Sequence, residues 1–145
     1  MEMLDSPSLA CEQHRLLHDI YILLDDGDRQ VLDATGLTPL EFAVLQRLHR
    51  DQGRRLTDIG TELFCVKSTI TRLVDRLEAG GLVRRTPDPD DRRAQRLRLT
   101  TRGVLVRDQA IRLHSEAVER RMAVLNNEEQ FLLRGLLEKL HSGLR

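Results

Sequence analysis

The sequence predicts a mostly α-helical fold with one small β-hairpin, and three observations support this prediction. Apolar residues recur at helical spacing through most of the 145 residues, aromatic residues are only 3% of the chain, and charged residues are 32%. This composition fits an aliphatic core and long solvated helices. One segment, between Leu82 and Thr100, instead suggests two strands, and in the second of them, Gln95 to Thr100, leucines alternate with arginines. The length fits a single domain.

Two helices are predicted before residue 54. The first covers about Leu9 to Leu32, where Leu16, Ile20 and Leu24 belong to one broad apolar stripe that calls for more than one packing partner. The second has a complete start signal in Thr38-Pro39-Leu40-Glu41, because Thr38 suits the N-cap, proline suits the first turn and Glu41 completes a capping box. This second helix is expected to end near Gly53.

The next segment predicts a helix, a turn and a second helix. Leu56 to Leu63 forms the first helix, with Thr57 as its cap and Asp58 at the positive end of its dipole. Phe64-Cys65 is the turn. In the second helix, one face is apolar and is expected to be buried, through Ile70, Leu73, Val74 and Leu77.

The opposite face of this second helix carries side chains that can bind bases and phosphates in a DNA groove. Gly80-Gly81 is expected to end the helix, because glycine adopts the left-handed conformation that a helix end requires. The outward residues are Lys67, Ser68, Thr69, Thr71, Arg72, Asp75 and Arg76.

A β-hairpin is predicted to follow. Its strands cover 82–86 and 95–100, and in the second strand leucines alternate with arginines. The connecting segment, 87–93, contains two prolines and three aspartates that suit a turn. Arg92 and Arg93 at its tip suit a probe of the DNA minor groove. A helix-turn-helix followed by such a hairpin predicts a winged helix-turn-helix.

Two helices complete the predicted order of elements. Thr101 opens a long helix that runs to about Leu125. Asn126 caps the last helix, and Glu129 three residues later completes a second capping box.

The charge distribution supports DNA binding although the formal net charge is zero. Residues 67–112 contain 12 Lys or Arg against 6 Asp or Glu, and the rest of the chain contains 11 against 17. A basic lobe on an acidic body is typical of a protein that docks one surface on phosphates. Double-stranded DNA is therefore the predicted partner.

The motifs of this region closely resemble those of the MarR family of bacterial transcription regulators. They are Ser68-Thr69-Ile70-Thr71-Arg72-Leu73-Val74-Asp75-Arg76-Leu77-Glu78, Gly81-Leu82-Val83, Asp88-Pro89-Asp90-Asp91-Arg92-Arg93 and Leu99-Thr100-Thr101-Arg102-Gly103. The resemblance covers the DNA-binding half motif by motif and extends more loosely to the flanking helices.

The resemblance implies a homodimer that binds a pseudo-palindromic operator. A repressor is the expected role, with an activator as the alternative, because the position of the operator decides between them and the chain does not encode it. Residues 1–34 and 104–145 would form dimerisation helices around a winged lobe at 35–103, all within one domain. Asp91 would orient the wing loop, and Arg93 would enter the minor groove. A small-molecule ligand would bind between the dimerisation helices and the lobe. The long terminal helices also call for partner helices on physical grounds, and a twofold dimer supplies them, with an intramolecular bundle as the alternative.

Two residues depart from the family pattern. Cys65 stands where the family usually has glycine, so a strained left-handed conformation is expected there. Lys67 stands where a Ser or Thr commonly caps the recognition helix. Either Ser68 takes over the cap, or Lys67 trades some helix stability for a phosphate contact.

A second candidate site lies on the first helix, where Cys11, His14 and His18 share one face. Three hypotheses for their role remain open: packing in the dimer interface, a peroxide-sensing thiol as in the organic-hydroperoxide regulators of the family, or a metal site. Packing is the preferred hypothesis, so no metal and no cofactor are expected.

Other functional classes find little support. Nucleotide-binding, hydrolase and zinc-protease motifs are absent from the sequence, so an enzyme is not expected. The acidic start Met1-Glu2-Met3-Leu4-Asp5 does not resemble a secretion signal, and no apolar run is long enough for a membrane span, which predicts a cytoplasmic protein. The different-class alternative is a winged-helix module that binds proteins rather than DNA.

Overall fold

The computed structural model describes residues 7–145 and confirms a mostly α-helical fold with a small antiparallel sheet. Residues 1–6, which belong to the predicted 1–34 segment and include the start that is not expected to be a secretion signal, lie outside the described residues. The elements are α1 (Leu9–Leu32), a 3-10 turn (Asp33–Thr35), α2 (Pro39–Gln46), β1 (Arg54–Arg55), α3 (Leu56–Glu62), α4 (Lys67–Ala79), β2 (Val83–Pro87), β3 (Gln95–Leu99), α5 (Thr101–Met122) and α6 (Asn127–Gly143).

The sheet has the strand order β1-β3-β2, with both pairs antiparallel. Val83 is the partner of Leu99, and Arg85 is the partner of Leu97. Because side chains alternate along a strand, Leu97 and Leu99 face the core together and Arg98 lies on the other face. The core beneath the sheet is aliphatic, and its fully buried side chains are Leu32, Val44, Leu45, Leu48, Ile59, Val74 and Leu97.

Both predicted capping boxes are present. The Thr38 hydroxyl accepts from Glu41 N at 3.2 Å, and the Glu41 carboxylate accepts from Thr38 N at 3.0 Å. At α6, Asn126 and Glu129 make the same reciprocal pair at 3.0 and 2.8 Å. Each box satisfies backbone donors that a helix start otherwise leaves unpaired.

Several predicted boundaries were wrong. The second helix ends at Gln46 rather than near Gly53, because the chain must turn to supply strand β1, whose pairing with β3 the sequence pattern did not reveal. Thr57 does not cap α3, because the helix starts directly from the strand with Arg55 at the N-cap and no side-chain cap. Helix α5 ends at Met122, short of Leu125.

The terminal helices expose much of their apolar surface. Helix α1 buries only Leu32, and α6 buries no residue. Large apolar side chains stand in solvent, including Leu23 at 71% and Phe131 at 73% exposure. Helix α1 packs along α5, where Arg121 donates to Asp28 at 2.6 Å.

Within residues 7–145, no helix combines the length and apolarity needed to cross a membrane.

The close approach of α5 to Leu82, in the segment between α4 and β2, leads to a stability prediction. A Cβ on Gly103 would lie 1.9 Å from the carbonyl oxygen of Leu82, a backbone atom that cannot move aside. We expect Gly103→Ala to lower the free energy of unfolding by at least about 2 kcal/mol, measured by urea denaturation. The control Gly143→Ala, with no atom within 4 Å of its new Cβ, should stay within about 0.5 kcal/mol of the parent. Equal stability of the two variants would contradict the close approach.

Candidate nucleic-acid interface

Helices α3 and α4 meet at a tight turn. Cys65 N donates to Gly60 O at 2.8 Å, which closes the turn. The left-handed residue is Phe64, with φ of 53°, and not Cys65 as predicted. Phe64 is also 95% exposed, so an aromatic side chain at a strained position projects from the turn into solvent. The sequence pattern placed the turn correctly but shifted its strained residue by one position.

Helix α4 presents its faces as predicted. Ile70, Leu73, Val74 and Leu77 are buried. The other side of the helix is exposed, apart from half-buried Thr69. Six of its residues were predicted to bind DNA: Lys67, Ser68, Thr69, Thr71, Arg72 and Arg76.

The start of α4 has no side-chain cap. Val66 is the N-cap residue, and Lys67 is already in the helix. The alternative in which Ser68 caps the helix was therefore wrong. The apolar Val66 side chain has no oxygen with which to accept from the first turn. Thr69 N donates to Val66 O at 3.0 Å, and the backbone N–H groups of Lys67 and Ser68, which have no acceptor among residues 7–145, are left available to an anion from outside the chain.

Arg76 is tied to the scaffold. Its Nε lies 3.3 Å from Glu41 Oε1, and Glu41 is only 3% exposed although Arg76 is 62% exposed at its side chain. The same carboxylate completes the capping box of α2 through its other oxygen. One buried carboxylate thus fixes the recognition helix against α2, a role for Arg76 that its outward position in the pattern did not indicate.

The wing tip carries Arg92 and Arg93, and both are exposed. Asp91 shapes the tip locally, because its carboxylate accepts from Arg93 N at 2.9 Å and its carbonyl accepts from Ala94 N at 3.0 Å. A concavity of about 450 Å³ separates the wing from the helix-turn-helix. Its lining brings Arg92 and Arg93 together with Lys67 and Thr71 of α4.

Asp88 makes the hydrogen bonds that order the wing. The sequence analysis predicted only that this residue belongs to a turn. Its residue exposure is 4%, and its two carboxylate oxygens accept five hydrogen bonds. The donors are Asp90 N at 2.9 Å, Asp91 N at 3.1 Å, Arg55 Nε at 2.9 Å and Nη2 at 3.3 Å, and Arg96 Nε at 2.8 Å. The carboxylate joins the loop, β1 and β3 at one point.

These donors change the titration of Asp88. The backbone N–H of Asp90 and the guanidinium groups of Arg55 and Arg96 hold the pKa of Asp88 well below its usual range, although burial opposes them. Because the folded-state pKa is lowered, the stabilisation is complete above the unfolded value, near about pH 4, and is lost only as the pH falls through the folded value in strong acid. At neutral pH the Asp88 carboxylate is therefore ionised and holds the wing loop through its hydrogen bonds.

A second tie holds the wing to the recognition helix. Arg85 on β2 pairs with Asp75 and, at 3.3 Å, with Glu78, both on α4. Its backbone N–H also donates to Glu78 at 3.1 Å. Asp75 is exposed as predicted, and its carboxylate pairs with Arg85 of β2.

The second candidate site shows no such assembly. Cys11, His14 and His18 all lie exposed on α1. Across residues 7–145, no group of three or more His, Cys, Asp or Glu side chains is arranged to hold a metal ion. Within the described part of one chain, the geometry therefore does not support the hypothesis that these residues bind a metal ion.

The sequence reading found no signal in His114, yet it is part of a cluster between α1, α2 and α5. His114 Nε2 lies 3.2 Å from Asp28, which also pairs with Arg121, and its ring packs on Phe42 with centroids 5.2 Å apart. Only the fold brings these four residues together.

A helix-turn-helix with a β-hairpin wing and an exposed basic face defines the winged-helix class of folds. The model of the MarR family matches residues 37–94, which contain the helix-turn-helix and the wing loop. The HTH-type transcriptional regulator YkoM of Bacillus subtilis, itself uncharacterized, is 35% identical over 109 residues, covering 74% of this chain and 71% of the relative.

Two further comparisons extend over most of the chain. The HTH-type transcriptional regulator MhqR of Bacillus subtilis is 28% identical over 125 residues, covering 86% of each protein. A cysteine-to-serine mutant of MarR from Escherichia coli, complexed with operator DNA, has a TM-score of 0.81 at 26% identity, covering 92% of this chain and 99% of that chain. The chain belongs to the MarR family, as its motifs predicted, and is a transcription regulator of that family rather than an enzyme.

The Asp88 cluster generates a prediction about the wing. In Asp88→Asn, an amide NH₂ would replace one of the two carboxylate oxygens. This NH₂ group cannot accept hydrogen bonds and would face the guanidinium donors of Arg55 and Arg96, so the wing loop should become less ordered. We expect faster amide hydrogen exchange in residues 88–94, measured at neutral pH. The control is Asp90→Asn, which removes the same charge from an exposed neighbour in the same loop. The same exchange rates in both variants would show that charge alone, and not the buried cluster, orders the wing.

Proposed function

We propose that this protein is a sequence-specific DNA-binding regulator that acts as a homodimer on a pseudo-palindromic operator. The observation that carries the proposal is the concavity that unites α4 with the wing tip, where Lys67, Thr71, Arg92 and Arg93 meet and none of the three cations has a carboxylate within 4 Å among residues 7–145. The Escherichia coli relative, which has a similar fold and was solved with operator DNA, supports DNA as the partner.

The roles of the residues follow from their positions. Helix α4 enters the major groove, where Ser68, Thr69 and Arg72 contact bases and phosphates and the uncapped first turn receives a phosphate. Lys67 and Thr71 lie on the side toward the wing. Arg92 and Arg93 reach the minor groove, with Asp91 shaping their loop. Arg76 acts chiefly as an anchor through Glu41, and its share of DNA binding is smaller.

The dimer is proposed from the terminal helices. Residues 1–34 and 104–145 form the dimerisation region, and 35–103 form the winged lobe. The exposed leucines of α1 and the apolar face of α6 supply surface that the single chain leaves uncovered. A cavity of about 620 Å³ between α6 and the end of α5, lined in part by Met122, Phe131 and Leu137, would receive side chains of the second protomer.

We further propose that the protein is a repressor released by a small organic ligand. The family resemblance implies a ligand between the dimerisation helices and the lobe. The polar cluster of Asp28, His114 and Arg121 lies where α1 and α5 meet and supplies groups that could hold such a ligand. A regulator of this kind works in the cytoplasm, where bacterial DNA lies.

The central test is selection of the preferred sequence from random duplexes, together with sedimentation of the free protein. The expected result is an inverted repeat whose half-site centres lie about one helical turn, roughly 10 base pairs, apart, because twofold protein symmetry requires a symmetric site. Sedimentation should give a dimer at micromolar concentration. A monomer, or a selection without an inverted repeat, would refute the proposal, and failure to bind any duplex would favour a protein-binding module.

The residue assignment makes a second prediction. Arg93→Ala should weaken binding to the selected duplex by about 1 kcal/mol or more, because it removes a groove contact from an exposed tip that packs against little. Arg72→Ala should also relax the sequence preference if Arg72 contacts a base. Fluorescence anisotropy measures both effects.

The matched control for these substitutions is Arg112→Ala, which removes an exposed arginine of α5 whose partner is Glu116 at 3.5 Å. This variant should bind the duplex like the parent. All three variants should keep the parent's melting temperature within a few degrees. Parental DNA affinity in both Arg93→Ala and Arg72→Ala would show that the interface lies elsewhere.

A further inference from the structure

A second basic surface lies behind the wing. It lines a concavity of about 510 Å³ formed by the loop after α2, the strands β2 and β3 and the start of α5. Four arginines line it, and one acidic residue, Asp51, joins them. We name this surface the rear concavity, and its arginines are Arg50, Arg84, Arg98 and Arg102.

The rear concavity faces away from the recognition helix. Arg85 reaches α4, so its neighbour Arg84 lies on the opposite face of the sheet. Leu97 and Leu99 are buried in the core, so Arg98 between them lies on that same opposite face. A duplex docked on α4 would therefore meet the other side of the lobe.

The arginines of the rear concavity are unpaired. Within residues 7–145, no carboxylate lies within 4 Å of any of the four guanidinium groups. Arg84 and Arg98 are moreover direct cross-strand partners. Like charges directly opposite each other destabilise a strand pair, so the arrangement favours an anion that neutralises both.

The walls that hold these arginines are fixed. Arg96 Nη1 donates to Gly53 O at 2.8 Å, and Leu99 N donates to His49 O at 3.5 Å, so the loop that carries Arg50 is tied to β3 on both sides. On the other wall, Thr100 caps α5 by accepting from Gly103 N at 2.9 Å. Thr101 and Arg102 of the first turn of α5 line the concavity beside this cap.

We propose that the rear concavity binds a small, multiply phosphorylated anion. A guanidinium group matches a phosphate with two parallel hydrogen bonds, and four such groups can hold two phosphates. The volume is that of a small-ligand site. No aromatic residue lines the concavity, so recognition rests on the phosphates and not on stacking with a base. Arginine stays charged at every physiological pH, so binding does not depend on protonation of the site.

The test is calorimetric titration of the full chain with inorganic tripolyphosphate at low salt. The parent should bind it, and Arg84→Gln/Arg98→Gln should lose at least about tenfold in affinity, because both cross-strand donors are removed. The control Arg112→Gln/Arg120→Gln removes two exposed arginines from α5, outside the concavity, and should stay within about twofold of the parent. Arg50→Gln/Arg102→Gln, which leaves the sheet untouched, should reproduce the loss if the first variant folds poorly.

Two further measurements separate the sources of phosphate. Arg92→Gln/Arg93→Gln should keep the parental tripolyphosphate affinity, and Arg84→Gln/Arg98→Gln should keep the parental affinity for a mixed-sequence duplex. Tripolyphosphate binding that is absent from the parent, unchanged in both rear variants, or lost with Arg92 and Arg93 would overturn the proposal. A tenfold loss of duplex affinity in the Arg84/Arg98 variant would also overturn it, because DNA phosphates would then be the occupant.

Discussion

The lobe depends on one buried carboxylate. Asp88 accepts from the wing loop and from arginines of β3 and β1, so the hairpin and a strand more than 30 residues earlier in the chain meet at its two oxygens. A buried charge is tolerated only when it is paired and fully hydrogen-bonded, and here five bonds meet that condition. Without this cluster, a short hairpin at the edge of a three-stranded sheet has little apolar contact to order its tip.

Two other arginines extend this order to the recognition helix. Arg76 ties α4 to buried Glu41 of α2, and Arg85 ties α4 to β2 through Asp75 and Glu78. The helix is therefore fixed to the scaffold on one side and to the wing on the other. Binding two neighbouring grooves at once requires a fixed spacing between helix and wing, and a preorganised lobe avoids the entropy cost of establishing it at each encounter.

The sequence predicted what depends on local patterns and missed what depends on long-range contacts. The buried stripe of α4 and both capping boxes follow from spacings within one helical turn, and the structure confirms them. The pairing of β1 with β3 and the ion pair of Arg55 with Asp88 join residues more than 30 positions apart, so no periodicity reveals them. The capping of α3 was misjudged for the same reason, since its start is set by pairing with β3.

The arginines show why net charge alone did not locate the functional surfaces. Some arginines form ion pairs within the protein. Arg55 and Arg96 pair with Asp88, and Arg85 pairs with Asp75 and Glu78. The unpaired cations of the basic segment fall on two opposite sides of the lobe, one around α4 and the wing tip and the other in the rear concavity. Unneutralised guanidinium groups repel one another in the free protein and are relieved by an anion. Because the sheet separates the two groups, we propose that this small lobe has two independent anionic partners, one on each side.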